Sequence, residues 1–304
     1  MQFLNNKQII FLVYFLAFSK FDKHFLNMKE NFTFKTSQNN NLQISAYLPQ
    51  KDFNNKCLIY AHGFKGFKDW GFVPYAAEYF SGLGYLVLTF NFSHNGIGTN
   101  PLEFTELEKF SQNTISLEVS ELLQLINAVK ENNINLDFQI SKIGLIGHSR
   151  GGGVSILAAS QNKNVNALVT WSAVSKLDRF TERQKEEWKT KGYMEVKNTR
   201  TNQVYRMNYS YLADILKNKN GLLSLKSAAE KLDIPWLIIH GKNDLTVKID
   251  EAEELFEWSG KNKTKFIVIP DTGHTFGAQH PFTGPGKAFK IVLRETEKFF
   301  AQNM

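Results

Sequence analysis

The chain has 304 residues, 42% hydrophobic and 21% charged, enough to bury one large core and without the composition of a disordered or collagen-like chain. The formal net charge is +7, but basic residues alternate with Asp and Glu and never run to five in a row, so no nucleic-acid partner is expected. The single cysteine, Cys57, excludes an internal disulfide framework and a cysteine-clustered metal site.

The amino-terminal residues 9–18 (IIFLVYFLAF) form an apolar run. A bilayer span takes about 20 residues, so membrane contact is not expected. Two readings of this region stand side by side. Lys7 before the run and Ala17-Phe18-Ser19 at its end resemble a signal peptide cleaved before Lys20. Met28, followed directly by strand-like sequence, reads equally as the true start, and a retained anchor is a third reading. Residues 1–27 are therefore expected to lie outside a domain covering 28–304. The expected location is cytoplasmic, or exported if residues 1–19 are a signal peptide.

Residues 32–48 hold two alternating segments around Asn39-Asn40-Asn41, the pattern of a β-hairpin at a sheet edge. Short runs apolar on both faces follow at 57–61, 85–90, 143–146, 167–170, 236–239 and 266–269, as a parallel sheet covered by helices requires. Helix-length segments at 73–83, 114–131, 151–161, 250–259 and 285–302 separate most of them. This alternation predicts an α/β fold with a mostly parallel, doubly wound sheet. One interval is too long for a single crossover: residues 172–230 carry twelve Lys or Arg against seven Asp or Glu, with aromatics such as Phe180, Trp188 and Tyr205. It is expected to form a helical lid inserted over the carboxyl edge of the sheet.

Gly147-His148-Ser149-Arg150-Gly151 is the segment richest in chemistry, because it joins the strand at 143–146 to a helix rich in small residues. In that context G-x-S-x-G describes a nucleophile on a strained strand-to-helix turn, with glycine where neighbouring backbone must pass. The backbone N–H of Arg150, at the helix amino terminus, can donate to a developing oxyanion. A serine hydroxyl needs a base, and His274 stands just after the strand at 266–269. His280, further on, is the rival base. Asp244 follows the strand at 236–239 and is the expected orienting acid, with Asp271 its rival. The order is then Ser, Asp, His. His62-Gly63-Phe64-Lys65-Gly66 follows the strand at 57–61, and the Phe64 N–H is the expected second oxyanion donor. Trp171, after the strand at 167–170, is expected to line the acyl side of the pocket. His62, His148 and His240 each end a strand and are read as packing and hydrogen-bonding residues rather than as catalysts.

The motifs HGFKG, GHSRGGG, HGKND and DTGH, in this order, resemble the α/β-hydrolase superfamily from about residue 32 to the end. They are similar to the bacterial branch of serine aminopeptidase-like, prolyl-oligopeptidase-like and cinnamoyl or feruloyl esterase-like hydrolases. The resemblance implies Ser149, Asp244 and His274 as catalytic triad, Phe64 and Arg150 as oxyanion donors, and no metal or organic cofactor. It implies hydrolysis of a small-molecule carboxylic ester through an acyl-enzyme. An acyltransferase or peptidase with the same triad, and a binding module that keeps the pocket, remain as alternatives; the oligomeric state is not legible. Arg150 departs from the pattern, since Gln, Met or Leu is commoner after the serine. Its side chain is expected to bind a carboxylate or to pair with an acid of the lid.

Overall fold

Strands apolar on both faces need cover on both faces, and the architecture supplies it. The structure is a computed structural model that describes residues 29–134, 136–198 and 203–304; the expectations for residues 1–27 and for a start at Met28 lie outside them. The strands are β1 (Lys29–Lys35), β2 (Asn41–Tyr47), β3 (Lys56–Ala61), β4 (Leu86–Asn91), β5 (Lys142–His148), β6 (Val165–Trp171), β7 (Tyr193–Lys197), β8 (Val204–Asn208), β9 (Trp236–Gly241) and β10 (Thr264–Ile269). Eight of them form one sheet in the order β1-β2-β4-β3-β5-β6-β9-β10. The hairpin β1–β2 and its junction with β4 are antiparallel, and every later pairing in the sheet is parallel. Asn39, at φ 67°, makes the left-handed turn of the hairpin.

The helices are α1 (Val73–Ser81), α2 (Leu107–Ser111), α3 (Ile115–Lys130), α4 (Arg150–Ala159), α5 (Glu182–Lys191), α6 (Tyr209–Asn218), α7 (Leu225–Lys231), α8 (Ile249–Trp258) and α9 (Lys287–Asn303). Strand parity decides what each side chain meets. Cys57 and Ile59 of β3, Leu88 of β4 and Ile238 of β9 pack with α3, α4 and α8. Leu58 and Tyr60, Val87, Leu237 and Ile239 pack on the other face with α1 and α9, against Phe80, Phe289 and Phe300. Among the described residues no helix is long and apolar enough to cross a membrane.

The insertion between β6 and β9 differs from the expected all-helical lid. It runs α5, then the antiparallel pair β7–β8, then α6 and α7. Met194 and Val196 alternate with Tyr193, Glu195 and Lys197, and Tyr205 and Met207 alternate with Val204 and Arg206. That period of two makes a ribbon with one face turned inward, where Tyr205 and Met207 are buried.

Candidate active site

Four loops at the carboxyl ends of parallel strands build the site, the crevice where open α/β sheets place ligands. β5 ends at His148, and Ser149 takes φ 56° and ψ −121° before α4 begins. A non-glycine residue holds such a conformation only where its surroundings over-determine it, at a cost of about 1–3 kcal/mol. Here the surroundings are backbone. The Ser149 N–H donates to the Trp171 carbonyl at 2.9 Å, and the Ser149 carbonyl accepts from Gly152 at 3.0 Å and from Val174 at 3.3 Å. A Cβ at Gly151 would lie 2.3 Å from the Ala61 carbonyl oxygen, and one at Gly147 2.6 Å from that of Gly151, so glycine on both sides of the serine is a steric requirement.

His274 and Asp244 come together from the loops after β10 and β9. His274 Nδ1 donates to Asp244 Oδ2 at 2.8 Å. The other carboxylate oxygen accepts from the backbone N–H groups of Thr246 at 2.9 Å and Val247 at 3.0 Å. His240 Nε2 lies 2.8 Å from the Val247 carbonyl and 3.4 Å from Asp244 Oδ2. Burial alone would raise the Asp244 carboxyl, but the hydrogen bonds from His240, His274 and Val247 outweigh it and hold the group well below the usual carboxylate range. An ionised Asp244 accepts from His274 Nδ1 and so holds a proton there, leaving Nε2 to face the cavity.

The two rivals stand elsewhere. Asp271 is exposed in a left-handed turn at φ 53°. His280 Nδ1 accepts from the Gly71 N–H at 2.9 Å while its ring stacks on Trp70.

The loop after β3 closes over the serine. Gly66 N–H donates to the Gly63 carbonyl at 3.0 Å, making a β-turn with Phe64 at its second position and Lys65, at φ 54°, at its third. The turn's hydrogen bond does not use the Phe64 N–H, which has no acceptor among the described residues. A Cβ at Gly63 would sit 3.0 Å from Ser149 Cβ, which measures how closely this loop approaches. Arg150 N–H, in the first turn of α4, has no acceptor within its own helix.

Residues 72–304 match the prolyl oligopeptidase family (Peptidase_S9), well over half the chain. The chain belongs to that family. No curated protein matches it. Among solved structures, Est1E from Butyrivibrio proteoclasticus with ferulic acid bound is similar at 18% identity and a TM-score of 0.68, over 90% of this chain and 98% of that one. The α/β-hydrolase GrgF from Penicillium sp. sh18 is similar at 16% and 0.68, over 91% and 99%. A dienelactone hydrolase from Anabaena variabilis is similar at 19% and 0.59, over 91% and 100%. The fold is that of the α/β-hydrolases, and the protein is a hydrolase.

In this prolyl oligopeptidase family member two cavities meet at Ser149. One, of about 250 Å³, is mainly apolar, with Phe64, Phe180, Met194, Met207 and Tyr211 in its walls beside Ser149 and Arg150. The other, of about 430 Å³, contains His274 and His148 with Trp70 and Lys65. Trp171 belongs to neither, which corrects the expectation that it lines the acyl side. It is wholly buried on the α9 face of the sheet, donating from Nε1 to Thr296 Oγ1 at 3.1 Å and packing on Tyr60, Phe72 and Phe289. The last residue of β6 takes the inward side by strand parity, and Val174, Leu177 and Phe180 of the following segment reach the cavity instead.

The contacts that support the site come from His148, which the sequence already offered as a hydrogen-bonding residue, and from Glu118, which it did not. His148 Nε2 lies 3.0 Å from the His274 carbonyl oxygen, and burial pushes this imidazole down to about 3, so it is neutral and donates there to steady the loop that carries His274. Glu118 of α3, wholly buried, pairs with Arg150 Nη2 at 2.5 Å and accepts from Asn113 Nδ2 at 2.7 Å. Burial pushes the Glu118 carboxyl up, with Arg150 and Asn113 pulling the other way. The Arg150 partner is therefore an acid of α3 and not one of the insertion, and its guanidinium lies 4.7 Å from the Phe64 ring centroid. One side chain thus braces the loop after β3 against α4. Arg150→Met is expected to cost about 3–5 kcal/mol of stability, because it strands a buried carboxylate. Urea unfolding checks this, and the double variant Arg150→Met with Glu118→Gln should recover part of the loss. An unchanged midpoint for the single variant would contradict a structural role for the pair.

Proposed function

We propose that the protein hydrolyses carboxylic esters through an acyl-enzyme on Ser149. The observation that carries this reading is the part-buried 2.8 Å bond between His274 Nδ1 and Asp244 Oδ2, beside a serine held at positive φ on the cavity that His274 lines. In this reading His274 Nε2 takes the Ser149 proton as Oγ attacks the ester carbonyl, and returns it to the leaving alcohol. A water deprotonated by His274 then attacks the acyl carbon, and Ser149 Oγ departs with the proton. Asp244 holds the imidazole tautomer. The N–H groups of Phe64 and Arg150 donate to the oxyanion of both tetrahedral intermediates, and loss of one such donor typically costs about 10²–10³ in turnover.

The 250 Å³ cavity is the acyl side. It is smaller than the roughly 300–1,000 Å³ of sites that enclose drug-sized ligands, and its walls carry aromatic and thioether groups. The insertion, which contributes Phe180, Met194, Met207 and Tyr211, acts as a lid. Short or aromatic acyl groups are the expected substrates, and the ferulic acid bound to one structural relative makes a feruloyl ester a natural member of the test set.

Family membership supports a second reading, peptide hydrolysis by the same triad. A panel of p-nitrophenyl acetate, butyrate and palmitate, methyl ferulate and a prolyl p-nitroanilide separates the two. The ester reading predicts the highest kcat/KM on a short or aromatic ester. Highest kcat/KM on palmitate would overturn the acyl-pocket assignment, and on the anilide it would replace the ester reading by the peptidase one.

A further inference from the structure

Away from Ser149, a cavity of about 600 Å³ opens on the outer part of the sheet, and its walls share no residue with the two cavities at the serine. Its floor comes from one face of β1, β2 and β4. Asn31 pairs across the ladder with Ser45, and Thr33 with Gln43, which in turn faces Asn91. By strand parity these are the positions opposite Leu42 and Ile44, which pack into the core with α3. Along this polar face several donor groups are left without a protein acceptor among the described residues.

Lys68, only 8% exposed, fixes the direction of the network. An ammonium can only donate. It gives one proton to Ser45 Oγ at 2.8 Å and another to Asp69. Ser45 Oγ, wholly buried and already accepting, passes its own proton to Asn31 Oδ1 at 2.6 Å. The backbone N–H of Lys68 donates to Asn91 Oδ1 at 2.7 Å. Each amide oxygen thereby accepts from the protein, which turns each amide with its NH₂ away from that contact. The NH₂ groups of Asn31 and Asn91 have no partner among the described residues, and Asn91 is only 3% exposed, on the cavity wall. The third ammonium proton of Lys68 adds a further donor. Charge runs the same way: Lys29, Lys68 and Lys109 stand against Asp69 and Glu106, one positive charge in excess. Asp69, the acid at the floor, is already engaged by Lys29 at 3.0 Å and by Lys68.

We propose that this cavity binds a small molecule bearing an oxyanion, a carboxylate or a phosphate, held by Asn31 Nδ2, Asn91 Nδ2 and Lys68 Nζ. Charge-assisted bonds are the strong class of hydrogen bond, and an amide NH₂ on the cavity wall without a protein partner is free to donate to such a ligand. The inference is independent of the ester reading, since none of its residues takes part in that chemistry.

The test is a thermal-unfolding titration of the full chain at constant ionic strength with sodium acetate, sodium phosphate and glucose, on the parent protein and on Asn31→Asp and Asn91→Asp. Aspartate keeps the acceptor that Ser45 or Lys68 needs and replaces the donor with an anionic oxygen. At least one anion should raise Tm with saturation and glucose should not, and each variant should need about tenfold or more of that anion for the same rise. Which anion acts at lower concentration tells a carboxylate site from a phosphate site. The proposal is overturned if neither anion stabilises the parent, if glucose alone does, or if both variants respond as the parent does. Asn31 is exposed on the edge strand, so Asn31→Asp carries the test even if Asn91→Asp does not fold.

Discussion

Ser149→Ala is expected to lower kcat/KM for ester hydrolysis by at least about 10³-fold while leaving the unfolding midpoint nearly unchanged. The two halves of this expectation have separate causes. Chemistry is lost because Ser149 stands where the two cavities meet, on the cavity that also holds His274 and beside the turn through Phe64, and alanine removes its hydroxyl. Stability is kept because the conformation of residue 149 is imposed by backbone bonds to Trp171, Gly152 and Val174, none of which uses the hydroxyl. Steady-state kinetics on p-nitrophenyl acetate and a thermal melt measure both. Activity within about tenfold of the parent would remove Ser149 from the nucleophile role.

Asp244→Asn should be nearly as damaging in turnover, by about 10⁴-fold, because an amide in place of the carboxylate can turn its NH₂ to Nδ1 and select the wrong tautomer of His274. Asp271→Asn should change turnover little, since that side chain is exposed and the imidazole is already engaged by Asp244. The contrast between the two variants is the informative quantity, measured as kcat on one substrate at one pH. A larger loss for Asp271→Asn would exchange their roles. Asp244→Asn should also destabilise the loop after β9, because Asp244 Oδ1 accepts from Thr246 and Val247 N–H.

The sheet was legible because its strands are buried on both faces: a run such as Cys-Leu-Ile-Tyr-Ala has no solvated side to hide its signal, and β3 spans Lys56–Ala61. The elbow was legible for a related reason. Gly147 and Gly151 answer to backbone that crosses within 2.6 Å and 2.3 Å of where a Cβ would stand, so the requirement is written in the sequence itself. Trp171 was misplaced because a residue at the last position of a strand can face either layer, and only the register of β6 between β5 and β9 fixes which. The ribbon β7–β8 was hidden in an interval whose charge and aromatic content drew the reading toward helices, although five-residue alternation was present in both strands. The Glu118 partner of Arg150 lies 32 residues earlier, outside every motif around the serine. Its signal was available, since Glu118 falls within the buried stripe of α3 formed by Ile115, Val119 and Leu122, where an acid needs a buried partner. The Lys68 network could not be read from sequence, because its direction follows from which atoms meet between a loop and three strands.

The account depends most on Ser149 forming a covalent bond that His274 and Asp244 make possible. Intact-mass measurement after exposure to a fluorophosphonate, with peptide mapping of the adduct, tests this directly. The prediction is one stoichiometric adduct on the peptide containing Ser149 in the parent, none in Ser149→Ala, and labelling slowed by orders of magnitude in His274→Ala. An adduct on another residue, or labelling of the parent no faster than of His274→Ala, would contradict it.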